Sequence, residues 1–485
     1  MTKTQSGRSS RSKPVSKTSK GNIFEFYVPK IPGTRPRPKL VKDKKDPKKL
    51  VYDKTKPADF LKTSFTKTTS VNFGKGPNKN LLTRYPALPL PQIVRAALEC
   101  GYGRRKMWSS HLLLSSTESK ELSAYLIKRL LMAVSCIRVD KNDAYVTCDF
   151  YSKIEPSEKV AISFIAGGIG SFIAAKYWLD AAGEKVKVML HTSIYTKGIS
   201  SSIKTNLLTS KKSPDYLVES DSGKWHVFES KGGTDRGRNK RIQEGLLQLG
   251  LITHLGWSSD PKQPQSVITQ VCTHTSIDAG SRLKVVAYDP PGENDEGFQE
   301  IIIDEAVCKL LKIAESLDQF HAINTETYTE EKWEWKSVSQ TENLEIALPS
   351  KYFNLEVRLR ASLGLFLLVN EIIEKYKERT QWSAKFMIER LENNINSYHF
   401  DGEYKTISDA FIVFIKNLND AEEEDVFIVQ SRQYLDLDRV LREFDAVLQE
   451  SQLSSTFSQP NDIQDEGTNV MMSSGMLIRE TVRKA

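Results

Sequence analysis

The sequence predicts an α/β fold, a mixed sheet with helices on its faces, set between an N-terminal helical or mixed region and a C-terminal helical one. Three observations carry this. Between Glu158 and Tyr288 the hydrophobic pattern runs helix, strand, strand, strand, helix, strand. Two of those strands, "DYLVES" and "WHVFES", are joined by "DSGK", in which Asp-Ser-Gly supplies hairpin chemistry. Beyond Pro290, segments of helical length and period dominate.

A chain of 485 residues, 39% hydrophobic, is long enough for two or three domains with real cores, which excludes disorder throughout. The net charge of +8 is modest, but it is concentrated at the front. From Lys3 to Lys56 the lysines and arginines far outnumber Glu25, Asp43, Asp46 and Asp53, and "PKIPGTRPRPKLVKDKKDPKK" is nearly devoid of apolar residues. Such composition does not offset its ordering entropy, so residues 1–60 are expected to form a disordered basic arm. Attraction to phosphate backbone and a merely solubilising tail both account for it. Residues 61–150 read as a helical or mixed region, with "PLPQIVRAALECGYG" (proline start, glycine stop) and "SKELSAYLIKRLLMAVSCI", whose Leu122, Leu126, Leu130 and Leu131 have helical spacing and a core-packing reading.

The central unit, 151–295, opens with "VAISFIAGGIGSFIAA", about 16 apolar or small residues, short of the roughly 20 that span a bilayer, so a buried helix is expected and no membrane. Its "GGIG" has neither dinucleotide nor Walker spacing, and close packing is its expected role. After the helix "GSFIAAKYWLDAAG" come the strands "KVKVMLHTSI", "DYLVES" and "WHVFES", the helix "NKRIQEGLLQLGLITHL" and a last strand "RLKVVAYD". Residues 296–450 read as helices that serve partner binding, homo-oligomerisation or substrate grip. "KWEWKSV", with Trp333 and Trp335, reads as packing anchors ahead of base-stacking residues. Residues 451–485, rich in Ser, Gln and Asp, are expected to be disordered. Five cysteines without a close pair fit a reducing cytoplasm, and "MTKTQSGRSSRSK" lacks the apolar core of a secretory signal.

The hairpin carries the chemistry. Residues two apart in a strand project to one side, about 7 Å apart, so Glu229 and Lys231 share a face and Ser230 points away. The turn at Ser222 and Gly223 brings Asp215 back beside them. Two carboxylates at close range resist ionisation unless a positive charge compensates, and a divalent cation is the natural compensator. Mg2+, with Mn2+ as its substitute, takes oxygen ligands of this kind, and the Ser230 carbonyl is a further one. With Lys231 steadying negative charge, the reaction this set fits is phosphodiester hydrolysis.

"PD" at Pro214 and Asp215, fourteen positions to Glu229, then "ESK", resembles the PD-(D/E)XK nuclease superfamily, with its restriction-endonuclease-like core. The resemblance implies that Asp215 and Glu229 are metal ligands and Lys231 the catalytic lysine, and that Gln243 on the following helix is directed toward the site. It covers about 130 residues. There is one departure: "GSFIAAKYWL" places Ser171 where several members carry a glutamate, and Glu158 lies earlier, which implies one metal or a shifted carboxylate. Arg236, Arg238, Lys240 and Arg241, in "TDRGRNKR", read as a phosphate clamp beside the site. His226 falls on the face opposite Glu229, and His191, His254 and His274 lack metal-ligand spacing.

The expected function is a Mg2+-dependent nuclease acting on DNA, with RNA as the other substrate; a bacterial restriction or antiphage setting follows from the family's habits. Rival readings are a catalytically inactive nucleic-acid-binding module and an assembly scaffold.

Overall fold

The computed structural model describes residues 21–46, 48, 50–71, 79–100, 112–113, 117–192, 203–205, 214–249, 253–258, 264–290, 300–338, 343–377, 382–419, 421, 423–453 and 469–481. It is an α/β protein built on an eight-stranded mixed sheet. The elements that position the site are strand β1 (Asn22–Pro29), helix α1 (Pro156–Ala181), strands β2 (Val186–His191), β3 (Tyr216–Ser220) and β4 (Trp225–Gly233), helix α2 (Arg238–Leu249), and strands β5 (Thr269–Ser276) and β6 (Lys284–Tyr288). Across the sheet the order is Phe65–Thr68, β1, β6, β5, β4, β3, β2, with Arg84–Tyr85 also paired to β1.

β2, β3 and β4 form an antiparallel meander, and β5 lies parallel to β4 after the α2 crossover. Around this sheet the predicted order helix, strand, strand, strand, helix, strand is present, but the second helix ends at Leu249, and His254–Trp257, where its last turn is expected, is a strand of a separate four-stranded sheet. The last member of the order, however, is β5 and not "RLKVVAYD". β6 pairs antiparallel to β5, one strand further out. β5 escapes a pattern search because it is buried on both faces yet reads "TQVCTHTS". Its polar side chains face helices on either side, so hydrophobicity does not alternate along it.

α1 lies very close to the sheet. A Cβ at Gly170 would sit 1.9 Å from Thr275 Oγ1, one at Gly167 3.1 Å from Ser230 Oγ, and one at Gly232 on β4 1.8 Å from the Ser163 carbonyl oxygen. The "GGIG" stretch is thus the contact surface of a helix pressed onto strands. α1 is also long and apolar enough to cross a membrane, and 72% of its most apolar stretch is buried inside this fold.

The N-terminal expectation needs correction. Residues 1–20 of the expected arm lie outside the described residues, but 22–29 form a strand of the main sheet. The reason is local: in "NIFEFYVP" Phe24 and Phe26 alternate onto the α1 side, where Phe24 meets Tyr177 edge-on at 5.0 Å and Phe26 stacks on Trp178 at 5.4 Å. Beyond β1, Leu40–Lys42 and Leu50–Tyr52 pair as a separate hairpin. Boundaries at 60 and 150 therefore do not separate bodies, since Phe65–Thr68 and Arg84–Tyr85 also join this sheet.

The C-terminal region also departs from the all-helical expectation. Its helices include Glu305–Ala322, Tyr352–Lys377, Ala384–Asn396 and Gly402–Lys416, with Glu424–Leu435 and Leu437–Leu453 in addition. They accompany a five-stranded sheet that takes in Trp333–Ser337, Leu344–Pro349 and, from the expected disordered tail, Asn469–Met471 and Leu477–Glu480. Residues 454–468 of that tail lie outside the described residues. Trp333 and Trp335 are fully buried in this sheet and Arg479 sits 3.7 Å over the Trp335 ring, which is the packing role.

Candidate active site

β3 and β4 keep strand register from Glu219 opposite Trp225 to Tyr216 opposite Phe228, and the pairing stops there. Asp215 takes over where it stops. Its side-chain Oδ2 accepts the Ser230 N–H at 2.9 Å, and its own backbone N–H donates to Glu229 Oε2 at 3.1 Å. A residue's N–H and C=O leave a strand on the same side, so the Ser230 carbonyl also exits toward Asp215. The Glu229 carbonyl leaves on the other side, where it accepts from Thr273 Oγ1 at 3.2 Å on β5.

The face assignments follow the sequence reading. Glu229 and Lys231 project toward α2, where a Cβ at Gly245 would be 3.1 Å from Glu229 Cγ and 3.4 Å from Lys231 Cε. Ser230 projects toward α1. Lys231 Nζ is hydrogen-bonded to Glu229 Oε1 and, at 3.3 Å, to Gln248 Oε1. Asp215, Glu229 and Lys231 are therefore gathered at one end of the sheet.

The electrostatics are unequal. Burial, and then the neighbouring Asp215 charge, push the Glu229 carboxyl up to about 7, with Lys231 acting in the opposite sense. Burial alone would depress the Lys231 ammonium, but the Glu229 and Asp215 carboxylates more than reverse it and hold it above its ordinary value. The Glu229 side chain is 1% exposed and that of Lys231 21% exposed, so of this pair solvent reaches the lysine, and Asp215 is half-buried. The donor set suits a hard cation: the Asp215 and Glu229 carboxylates and the Ser230 carbonyl lie at one end of the sheet, and a positive charge there would relieve the Glu229 carboxyl, whose ionisation burial opposes.

No family model, no curated protein and no solved structure matches this chain.

Other expected site residues are distributed differently. Gln243 does not reach the lysine; its amide donates to the Asp53 carbonyl at 3.0 Å, on the side of α2 that faces the N-terminal segment. The residue at the lysine is Gln248, which the sequence reading missed. It lies one turn beyond Gly245 on the same side of α2, and α-helical spacing from Arg241 through Gly245 would have found it. Of the basic loop, Arg236 and Lys240 are exposed, whereas Arg238 is paired with Asp235 at 2.6 Å and Arg241 packs under Gly233 and Gly237. Glu158 is not a displaced ligand, because its side chain accepts the Glu155 N–H in the cap of α1. Ser171 is fully buried.

His226 is buried on the opposite face, with Nδ1 2.9 Å from Thr269 Oγ1. His274 is the register partner of Lys231 on β5, and burial first, then Arg241 and Arg238, depress it to about 4. It is thus held neutral at ordinary pH.

Proposed function

We propose that this protein is a metal-dependent nuclease of the PD-(D/E)XK kind, hydrolysing phosphodiester bonds in DNA. The observation that carries the reading is the exchange of hydrogen bonds between Asp215 and the Glu229–Ser230 backbone and side chain, which gathers two carboxylates, a carbonyl oxygen and the Lys231 ammonium at one sheet end. The helix and strand order around it supports a restriction-endonuclease-like core.

Asp215, Glu229 and the Ser230 carbonyl would hold Mg2+ or Mn2+. The ion's chemistry, when bound, is to polarise a phosphoryl oxygen and acidify a water. The chain's own part is positioning and charge. Lys231, anchored by Gln248, presents an ammonium that steadies the charge growing on the phosphate or orients the attacking water. Asp215 holds the end of the ladder to Ser230, and its own carbonyl accepts the Thr192 N–H at 2.9 Å on the other side, which keeps its carboxylate in place. Exposed Arg236 and Lys240 hold the backbone of the substrate near the site without reading its sequence.

The rival, a binding module without catalysis, is favoured by Ser171 at the first-helix position where a third carboxylate would stand. One assay separates them: plasmid, linear duplex and single-stranded DNA incubated with Mg2+ or Mn2+, with and without EDTA. Cleavage that EDTA stops, and that Asp215→Ala, Glu229→Ala and Lys231→Ala each abolish in folded protein, is the expected result. DNA bound but left intact under every metal condition gives the case to the rival.

A further inference from the structure

The segment Arg35–Lys56 contains ten basic residues against three acidic ones, a net +7 in a chain whose total is +8. Within it, Leu40–Lys42 and Leu50–Tyr52 form a two-stranded ribbon that joins no other sheet among the described residues. Lys42, Lys44, Lys45 and Lys48 at and around its tip are exposed. So are Leu40 and Leu50, at 55% and 58%, which is unusual for leucines on a strand. A lone ribbon is marginal in water and gains order from whatever it lies against.

The ribbon is not a free arm. Arg35 Nη1 is bonded to Gln270 on β5, and the Asp53 carbonyl accepts the Gln243 amide of α2. Lys240, exposed, lies one helical turn before Gln243 and hence on the same side of α2. The helix that borders the candidate site on one side therefore carries the base of the ribbon on the other, where Lys240 is also exposed, and Arg236 lies exposed just before the helix starts.

We propose that the ribbon Leu40–Lys42/Leu50–Tyr52 is a docking element for duplex DNA, laying its lysines on phosphates and its leucines in the groove. The assignment rests on the nucleic-acid reading of the site and adds to it where the duplex is gripped. Charge complementarity selects a polyanion. Shape selects among polyanions: the major groove of B-form DNA is about 12 Å wide and admits a two-stranded ribbon, whereas that of A-form RNA is deep and narrow. A lipid surface suits the ribbon less, because its exposed apolar residues are few and interrupted by lysines.

The test uses the full chain in EDTA, so that binding is read without cleavage. Fluorescence anisotropy of a labelled 20-base-pair duplex is measured from 50 to 300 mM salt for the wild type and for K42Q/K44Q/K45Q/K48Q, with duplex RNA and phosphatidylserine vesicles as parallel probes. The expected result is a tenfold or greater loss of duplex DNA affinity near 150 mM salt and a slope of log K against log salt shallower by about 3 to 4, roughly 0.9 for each phosphate no longer neutralised. Circular dichroism melts verify that the variant is folded, which its exposed positions favour. Unchanged affinity and slope for DNA, or a loss confined to RNA or to vesicles, overturns the proposal. DNA that binds through the ribbon but stays intact with Mg2+ leaves this assignment standing and removes the nuclease reading; cleavage with an unaltered slope does the reverse.

Discussion

The Asp215 N–H donates to Glu229 Oε2 at 3.1 Å, while Asp215 Oδ2 takes the N–H of the next residue along, Ser230, at 2.9 Å. Two acidic residues on adjoining strands are thus locked together by main-chain donors, against their mutual repulsion. The cost falls on Glu229, which is the more deeply buried.

That cost predicts a pH dependence. The Glu229 carboxyl rises from an ordinary 4.5 to about 7 in the fold, chiefly through burial. A raised acid binds its proton more tightly when native, so its contribution is complete below 4.5 and is lost as pH climbs through 7. In EDTA the wild type should melt at lower temperature at pH 8 than at pH 5 through this group, with an upper limit on the order of 3 kcal/mol. Glu229→Gln should flatten that component. Saturating Mg2+ should raise the pH 8 melting temperature of the wild type and leave Glu229→Gln nearly unmoved. Identical profiles for the two proteins would falsify the assignment of the shift.

Gln248 and Gln243 separate by role. Gln248→Ala should lower the cleavage rate constant about tenfold with little change in melting temperature, because it frees the Lys231 Nζ to move. Gln243→Ala should leave the rate constant alone and cost on the order of 1 kcal/mol, through the lost bond to Asp53. Steady-state kinetics beside thermal melts read both, and a reversal of the two patterns restores the expectation drawn from the family.

Gly245→Ala tests how tightly α2 closes over the site. An added Cβ would lie 2.4 Å from Cys272 Sγ and 3.1 Å from Glu229 Cγ. Overpacking of this kind costs about 1–3 kcal/mol, more than the roughly 1 kcal/mol that alanine returns in helix propensity. A lower melting temperature and reduced cleavage are expected together. A stabilised, fully active variant would show that the helix can back away.

Lys312→Ala probes the bond between the C-terminal strands and the helices. Buried Glu99 accepts from Lys312 Nζ at 2.6 Å and from Ser473 Oγ at 2.8 Å, and although burial opposes its ionisation, Lys312 and Arg95 hold its carboxyl below the ordinary range. Removing the lysine strands the carboxylate, at a cost of about 3–5 kcal/mol. Urea unfolding should record that loss, and Lys312→Ala combined with Glu99→Leu should recover part of it.

The grouping of the side chains was legible because strand phase is rigid: once the hairpin turn is placed, Glu229 and Lys231 must share a face and Ser230 must oppose them. β5 was not legible, since Gln270, His274 and Ser276 look like loop residues until one knows that both sides of the sheet are covered. Phe24 and Phe26 were masked by the lysines around them, a segment average hiding a strand of eight residues. Asn469–Met471 and Leu477–Glu480 were hidden for the same reason, short apolar runs beside a polar stretch. Gln248 needed helical geometry where the family pattern offered Gln243.

The pairing of Asn22–Pro29 with Lys284–Tyr288 fixes a schedule for the nascent chain. At 5–20 residues per second, about 260 residues separate the partners, so Phe24 and Phe26 leave the ribosome some 13–50 s before the strand they need. During that interval Phe65–Thr68 and Arg84–Tyr85 are already made and can cover one edge of the strand, so it is the edge awaiting Lys284–Tyr288 that stays open until the central unit is complete.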